Sequence, residues 1–224
     1  MDGVYSYAGR TEAPLPQPLP TRVGGFGGIS GLVRYLRAEA VSHVVDATHP
    51  FAAQMSANAV AACAETGIPL LALERLPWAP TDGDQWQHVP DIASAVVALP
   101  DAPMRIFLAI GRQNVEEFSA RPEHQYLVRL VDAGANLMLP EAEVVISRGP
   151  FTLEGDLALL TAHRIQMVVS KNSGGSGAAA KLEAARALKL PVLIIDRPVV
   201  PERTRVQTVA EVLAWLAHPA NLGV

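Results

Sequence analysis

The sequence predicts an α/β fold, with parallel sheets flanked by helices and two domains facing a ligand cleft. Three observations predict it. Short apolar runs alternate with helical patterns along all 224 residues, the signature of strand–helix–strand crossovers and hence of parallel pairing. Several runs end directly in glycine-rich or polar turns that enter the next helix. "LPDAP" (99–103) closes one alternating series and a second begins at once, so the expected domains are 1–102 and 103–224.

In the first series "VYSYAG" (4–9), "VSHVVDA" (41–47) and "IPLLALE" (68–74) read as strands. "GISGLVRYLRAEA" (28–40) and "FAAQMSANAVAACAET" (51–66) read as the helices between them, with Gly67 placed to end the second. "TEAPLPQPLP" (11–20) carries alternating prolines and reads as an extended loop. "RLPWAPTDGDQW" (75–86) breaks the pattern before a helix over 91–99. In the second series strands fit 104–111, 125–131, 143–147, 166–170 and 191–196, and helices fit 152–163, 177–190 and 206–218. Trp78, Trp86 and Trp215 fall in a loop, near a turn and on an amphipathic helix, and read as packing residues.

Composition narrows the function classes. Hydrophobic residues make up 50% of the chain, enough for a proper core. The formal charge of −4 argues against a general nucleic-acid binder, which needs a basic face. The single cysteine, Cys63, excludes an internal disulfide and any multi-cysteine metal site. It sits in an Ala-rich helical run and reads as a buried spectator. No secretory signal opens the sequence, and the run 47–64 is too polar to span a membrane. A cytoplasmic protein without membrane, nucleic-acid or metal partners is the expectation.

The chemistry is expected at strand-to-helix turns, because ligands of parallel sheets bind beyond the carboxyl ends of the strands. "VVDATHPF" places Asp46, Thr48, His49 and Pro50 at one such end. Pro50 suits a first helical turn, with Thr48 or His49 at the cap and free amides behind it for a polar or anionic ligand. The alternative is purely local, with Thr48 capping the helix and Asp46 bonding nearby amides. His49 has no second ligand at metal spacing.

A second turn is "SKNSGGSGAAAK". Three glycines permit strained backbone angles and a close approach to a ligand. Lys171, Asn172, Ser173, Gly174, Gly175, Ser176 and Gly177 together read as an anion nest with a charge beside it. The spacing is that of neither a P-loop nor G-x-G-x-x-G. A third turn joins "SYAGR" to "RVGGFGG", where Ser6, Tyr7 and Arg10 close a strand and Gly24, Gly25, Gly27 and Gly28 precede a helix. An arginine just past a strand end can grip the 2′-phosphate of an NADP-type cofactor. Arg112 in "IGRQN" and Arg148 in "ISRGPF" repeat the pattern of a cation after an apolar strand, and with Lys171 favour a shared anionic ligand.

"DATHPFA", "GRQ", "SRGPF" and "SKNSGGSGAAAKLEAAR", in that order over nearly the whole chain, resemble the precorrin-6A reductase family of cobalamin biosynthesis. The resemblance implies two Rossmann-like domains, NADPH as hydride donor, and a tetrapyrrole-derived substrate in the cleft between 46–51 and 171–177. Hydride and proton would reduce one double bond of the macrocycle. The 1–102 domain would bind the cofactor through Ser6, Tyr7, Arg10, the 24–28 glycines, Thr48 and Pro50. The 103–224 domain would hold substrate carboxylates through Arg112, Arg148 and residues 171–177. Asp46, His49 and Lys171 are the candidate catalytic residues, one of them as proton donor. Other cobalamin-pathway enzymes are the expected partners.

The family normally opens with a strand and a Gly-Gly-Thr-x-Glu-Ala turn for the cofactor's phosphates. Here 4–9 looks like its second strand, so the first β-α unit is expected to be missing, and Thr11-Glu12-Ala13 is a decoy. Two other readings remain: a cobalt-precorrin-6A reductase using NADH, and a non-catalytic module for an anionic tetrapyrrole or nucleotide.

Overall fold

A computed structural model of the chain describes residues 2–9, 16–132, 137–139 and 141–217. The fold is α/β, and every strand pairing among the described residues is parallel. In chain order the strands are β1 (Tyr5–Tyr7), β2 (Thr21–Val23), β3 (Val44–Asp46), β4 (Leu70–Leu73), β5 (Gln85–Val89), β6 (Arg105–Ala109), β7 (Gln125–Leu130), β8 (Ala142–Ile146), β9 (Met167–Lys171), β10 (Pro191–Ile195) and β11 (Arg205–Val206). The helices are α1 (Gly28–Ala38), α2 (Ala53–Thr66), α3 (Ile92–Val97), α4 (Leu153–Ala162), α5 (Ala180–Ala187) and α6 (Val209–Ala217).

The chain forms two compact units, Met1–Arg75 with Val199–Val224, and Leu76–Pro198. These limits differ from the expected break at 102/103. The reason is strand pairing: β5 lies parallel to β10 from Gln85↔Pro191 to Val89↔Ile195 and so joins the second unit. Near the carboxyl end the chain returns to the first unit, where β11 pairs with β4.

The first unit holds a two-stranded sheet, β1-β2, and a three-stranded sheet, β11-β4-β3. Its core sets Leu32, Val33 and Leu36 of α1 against Ala59, Ala62 and Cys63 of α2. The small α2 residues let the helices approach closely, and Gly67 ends α2 in the left-handed conformation that glycine adopts without strain. Burial pushes the Cys63 thiol up to about 11, so it is a poor nucleophile.

The second unit is built on a six-stranded sheet, β5-β10-β9-β6-β7-β8. Its inner strands carry apolar runs at their centres, and Phe107, Val168 and Ile194 are fully buried, as expected of parallel strands covered on both faces. After β6 the chain builds outward through β7 and β8, then β9 enters on the other side of β6. The order therefore reverses between β6 and β9, and the turns above those two strands diverge around a crevice.

Candidate functional site

In the first unit, β2 runs into the Gly24–Gly28 turn and then into α1. Gly24, Gly27 and Gly28 all have positive φ. No atom lies within 4 Å of where a Cβ would stand on Gly24, Gly25, Gly27 or Gly28, so the turn opens onto free space. Gly27 caps α1 without a side-chain bond, and no acidic residue occupies the helix's first turn. Gly31 brings the helix against the turn, since a Cβ there would meet the Phe26 carbonyl at 1.7 Å. An uncapped helix start with bare glycines and no acidic residue in its first turn fits the phosphates of a dinucleotide.

Arg22, which the sequence reading passed over, fixes this turn. Its guanidinium donates to the carbonyls of Gly24 at 2.5 Å and Gly25 at 2.8 Å and lies 3.9 Å from the Phe26 ring centroid. Ser6 accepts from the same guanidinium at 3.4 Å, and the Tyr7 carbonyl accepts the Gly24 amide at 2.8 Å. Ser6, Tyr7 and the glycines are thus brought together. Arg10 and the 11–13 stretch lie outside the described residues.

At the end of β3 the expected helix start is corrected. Helix α2 begins at Ala53 with Ala52 at its cap, so Pro50 is outside the first helical turn and neither Thr48 nor His49 caps it. The turn closes on itself instead. Asp46 Oδ1 accepts from the Thr48 amide at 3.1 Å and from the Thr48 hydroxyl at 2.7 Å, while His49 Nδ1 accepts the Phe51 amide at 3.2 Å. Such side-chain bonds compete with the helix and delay it. Asp46 is buried, with Arg203 Nε 3.6 Å from its other oxygen, and Arg203 also reaches Glu74 at 3.2 Å. His49 is exposed. With Nδ1 as acceptor, its neutral ring carries the proton on Nε2.

In the second unit the expected residues gather at the carboxyl ends of the strands. Lys171, ending β9, donates to Asn114 Oδ1 at 2.8 Å and so bridges the crevice to the turn after β6. Arg112 donates to the Asp132 carbonyl at 2.6 Å, and Arg148 pairs with the Asp132 carboxylate at 3.0 Å. Both guanidiniums therefore converge on one acidic residue. A cavity of about 260 Å³ beside them is lined by Arg129, Ser147, Arg148, Phe151, Thr152 and Asp156, among others. A larger hollow of about 400 Å³ lies at the amino ends of β6, β7 and β8, around Arg105, Gln125 and Ala142. The glycine-rich turns and the cations Arg112, Arg148 and Lys171 lie at the opposite, carboxyl ends of the strands.

The 172–177 loop has a more internal structure than its composition suggests. Asn172 is buried and exchanges hydrogen bonds with the backbone of Trp78, accepting its amide at 2.7 Å and donating to its carbonyl at 3.0 Å. Asn172 is therefore a strut of the loop, with both ends of its side-chain amide engaged by the Trp78 backbone. Arg197 donates to the Asn172 carbonyl at 2.9 Å and the Ser173 carbonyl at 3.2 Å. Gly174 and Gly175 take positive φ, and Ser176 and Gly177 are exposed in a short 3-10 turn. Burial pushes Lys181 down to about 7, with the neighbouring Arg129 charge adding to the effect and Asp156 opposing it. Trp78 and Arg197 stand outside the quoted motifs, Trp78 between two prolines, while Lys181 ends the "SKNSGGSGAAAK" stretch without a role of its own there.

The 46–51 turn and the 171–177 loop belong to different units. Among the described residues there is no group of three His, Cys, Asp or Glu side chains that could hold a metal ion. No helix among them is long and apolar enough to cross a membrane.

Comparison with known proteins places this geometry in context. The family model described as "Precorrin-6x reductase CbiJ/CobK" matches residues 1–217. A precorrin-6A reductase from Rhodobacter capsulatus is 63% identical over 217 residues, covering 96% of this chain and 86% of its own. A precorrin-6A reductase from Mycobacterium tuberculosis is 42% identical over 216 residues, covering 96% and 87%. A cobalt-precorrin-6A reductase from Priestia megaterium is 32% identical over 195 residues, covering 82% and 76%. A solved structure of CobK precorrin-6A reductase superposes with a TM-score of 0.92 at 63% identity, covering 96% of this chain and 86% of that one.

Proposed function

The chain belongs to the precorrin-6x reductase family CbiJ/CobK, and from that premise we propose that it reduces precorrin-6A to precorrin-6B with NADPH. The observation that carries the cofactor half is the open Gly24–Gly28 turn at the uncapped start of α1, where successive amides can receive phosphate oxygens. Arg22 holds that turn in shape. Arg10 takes the 2′-phosphate, and Thr48 and Pro50 border the nicotinamide. Bound NADPH supplies a hydride to one double bond of the macrocycle.

The chain's own work is binding, orientation and one proton. Arg112, Arg148 and Lys171 meet substrate carboxylates, with the amides around Ser176 and Gly177 as further donors. Asp46 holds the turn through Thr48, and His49, after taking up a proton from solvent to become imidazolium, gives one to the carbon adjacent to the one that receives hydride and returns to the neutral ring that accepts the Phe51 amide. No side chain acts as nucleophile, and rate comes mainly from alignment.

The test is an anaerobic assay with enzymatically prepared precorrin-6A, following nicotinamide oxidation and the chromophore of the product. Turnover with NADPH well above that with NADH is the expected result. Turnover confined to the cobalt-containing substrate, or preference for NADH, overturns the assignment. Cofactor choice is checked separately with Arg10→Ala, which should weaken NADPH more than NADH, by about 1.5–3 kcal/mol for a lost charge-assisted bond.

A further inference from the structure

Trp78 lies in a proline-bracketed stretch that the proposed reduction does not use, yet its polar groups all turn toward the 172–177 loop. Its amide and carbonyl are held by the Asn172 side chain at 2.7 and 3.0 Å. Its indole Nε1 donates to the Gly175 carbonyl at 2.8 Å. The Lys181 ammonium stands 4.4 Å from its ring centroid and donates to the Ala178 carbonyl at 2.6 Å, one turn further along the same loop. The two backbone bonds would serve any residue at this position; the indole bond to Gly175 and the ring beside Lys181 are what tryptophan adds.

We propose that Trp78 is a positioning residue for substrate carboxylates, setting the direction of the amide donor on Ser176. The step from indole to amide is covalent geometry. In a trans peptide the carbonyl oxygen and the following N–H point in opposite directions. Fixing the Gly175 carbonyl on the indole therefore aims the Ser176 N–H away from Trp78, at an exposed residue of the turn. Arg197 acts alike one step earlier: its grip on the Ser173 carbonyl directs the Gly174 N–H away from the guanidinium. Gly175, with φ 75° and ψ 166°, occupies a region essentially restricted to glycine, which adopts it without strain but among many other conformations, so the peptide orientation has to be fixed from outside. The indole bond supplies part of that restraint. The inference rests on the assignment of this loop to the tetrapyrrole.

Trp78→Phe tests it, because phenylalanine keeps an aromatic ring beside Lys181 and removes the indole donor. The expected result is a rise of about tenfold in the KM for precorrin-6A, the size of one lost hydrogen bond. Both kcat and NADPH affinity, the latter measured without substrate, stay near wild type. A variant that is merely less heat-stable, with unchanged KM, overturns the proposal. So does a fall in kcat alone. Should Trp78→Phe not fold, the indole N–H resonance decides. In ¹⁵N-labelled Trp86→Phe/Trp215→Phe protein that signal belongs to Trp78, and it should move as precorrin-6A is added. An unmoved resonance overturns the inference. Wild-type protein that fails to reduce precorrin-6A counts against the functional reading alone, and the resonance still decides this one.

Discussion

The carbonyl oxygen of Leu76 occupies the place where a Cβ on Gly174 would stand, 2.0 Å from it. The contact is between two backbones, so no side chain can swing aside to relieve it. Gly174 also has a φ of +67°, which disfavours any other residue. Gly174→Ala is expected to destabilise the protein by about 2–5 kcal/mol, combining overpacking with left-handed strain. Gly177, three residues on, has nothing within 4 Å of its Cβ position. Gly177→Ala should stay within about 0.5 kcal/mol of wild type. Thermal melts of the two variants compare them directly, and similar losses would show that the loop is not braced against Leu76.

Arg22→Ala is the matching test in the first unit. The guanidinium ties down the carbonyls of Gly24 and Gly25 and stacks on Phe26. Without it, the turn keeps its glycines but loses the bonds that choose among their conformations. NADPH affinity should drop about tenfold, consistent with a site that must be ordered on binding. A fluorescence titration that leaves NADPH affinity untouched would mean that the glycine turn does not meet the cofactor.

These residues show which parts of the architecture were legible beforehand. Strands β6, β9 and β10 are legible because each carries an apolar stretch buried at the centre of a sheet. β5, "QWQHV", gives no apolar signal because it is a polar edge strand that begins inside the pattern-breaking 75–86 segment, and β2 and β11 give none because they span three and two residues. The unit boundary depends on β5 meeting β10 about a hundred residues later, which no local pattern encodes. The site followed the same rule. Turns at strand ends advertise themselves through glycine and charge. The residues that brace them do not: Trp78 meets Asn172 across 94 positions, and Arg203 meets Glu74 across 129. The helix start at Ala53 was misplaced because Asp46, Thr48 and His49 satisfy one another locally before the helix can begin.

The pair formed by Arg129 and Asp156 yields a stability prediction. Both side chains are more than nine-tenths buried, and the guanidinium packs against the rings of Phe107 and Phe151 at 4.9 and 4.2 Å. Removing one partner strands the other charge away from water. Asp156→Ala should therefore cost about 3–5 kcal/mol, whereas Arg129→Met with Asp156→Leu should cost far less or nothing. Urea denaturation distinguishes the cases; equal losses in the single and double variants would show that the pair stabilises the fold through more than mutual compensation.

The last prediction concerns pH and Lys181. Its amine is buried among the Trp78 ring, the Ala178 carbonyl, Arg129 of β7 and Asp156 of α4. Burial is the main reason its pKa falls to about 7 from the ordinary 10.5; Arg129 lowers it further and Asp156 partly opposes. Between those two values the unfolded chain keeps its proton while the folded chain has released it. The unfolded state then binds more protons, so the Lys181 contribution to stability rises with pH across the window. Below about 7 both states are protonated and the contribution is constant. Lys181→Met removes the titration and leaves an apolar chain of similar length. The difference in melting temperature, wild type minus Lys181→Met, should therefore climb steadily from pH 7 to pH 10, since the other titrating groups are shared and cancel. A difference that is flat or falls over that range would show that Lys181 stays charged in its buried place, held there by the Ala178 carbonyl, the Trp78 face and Asp156.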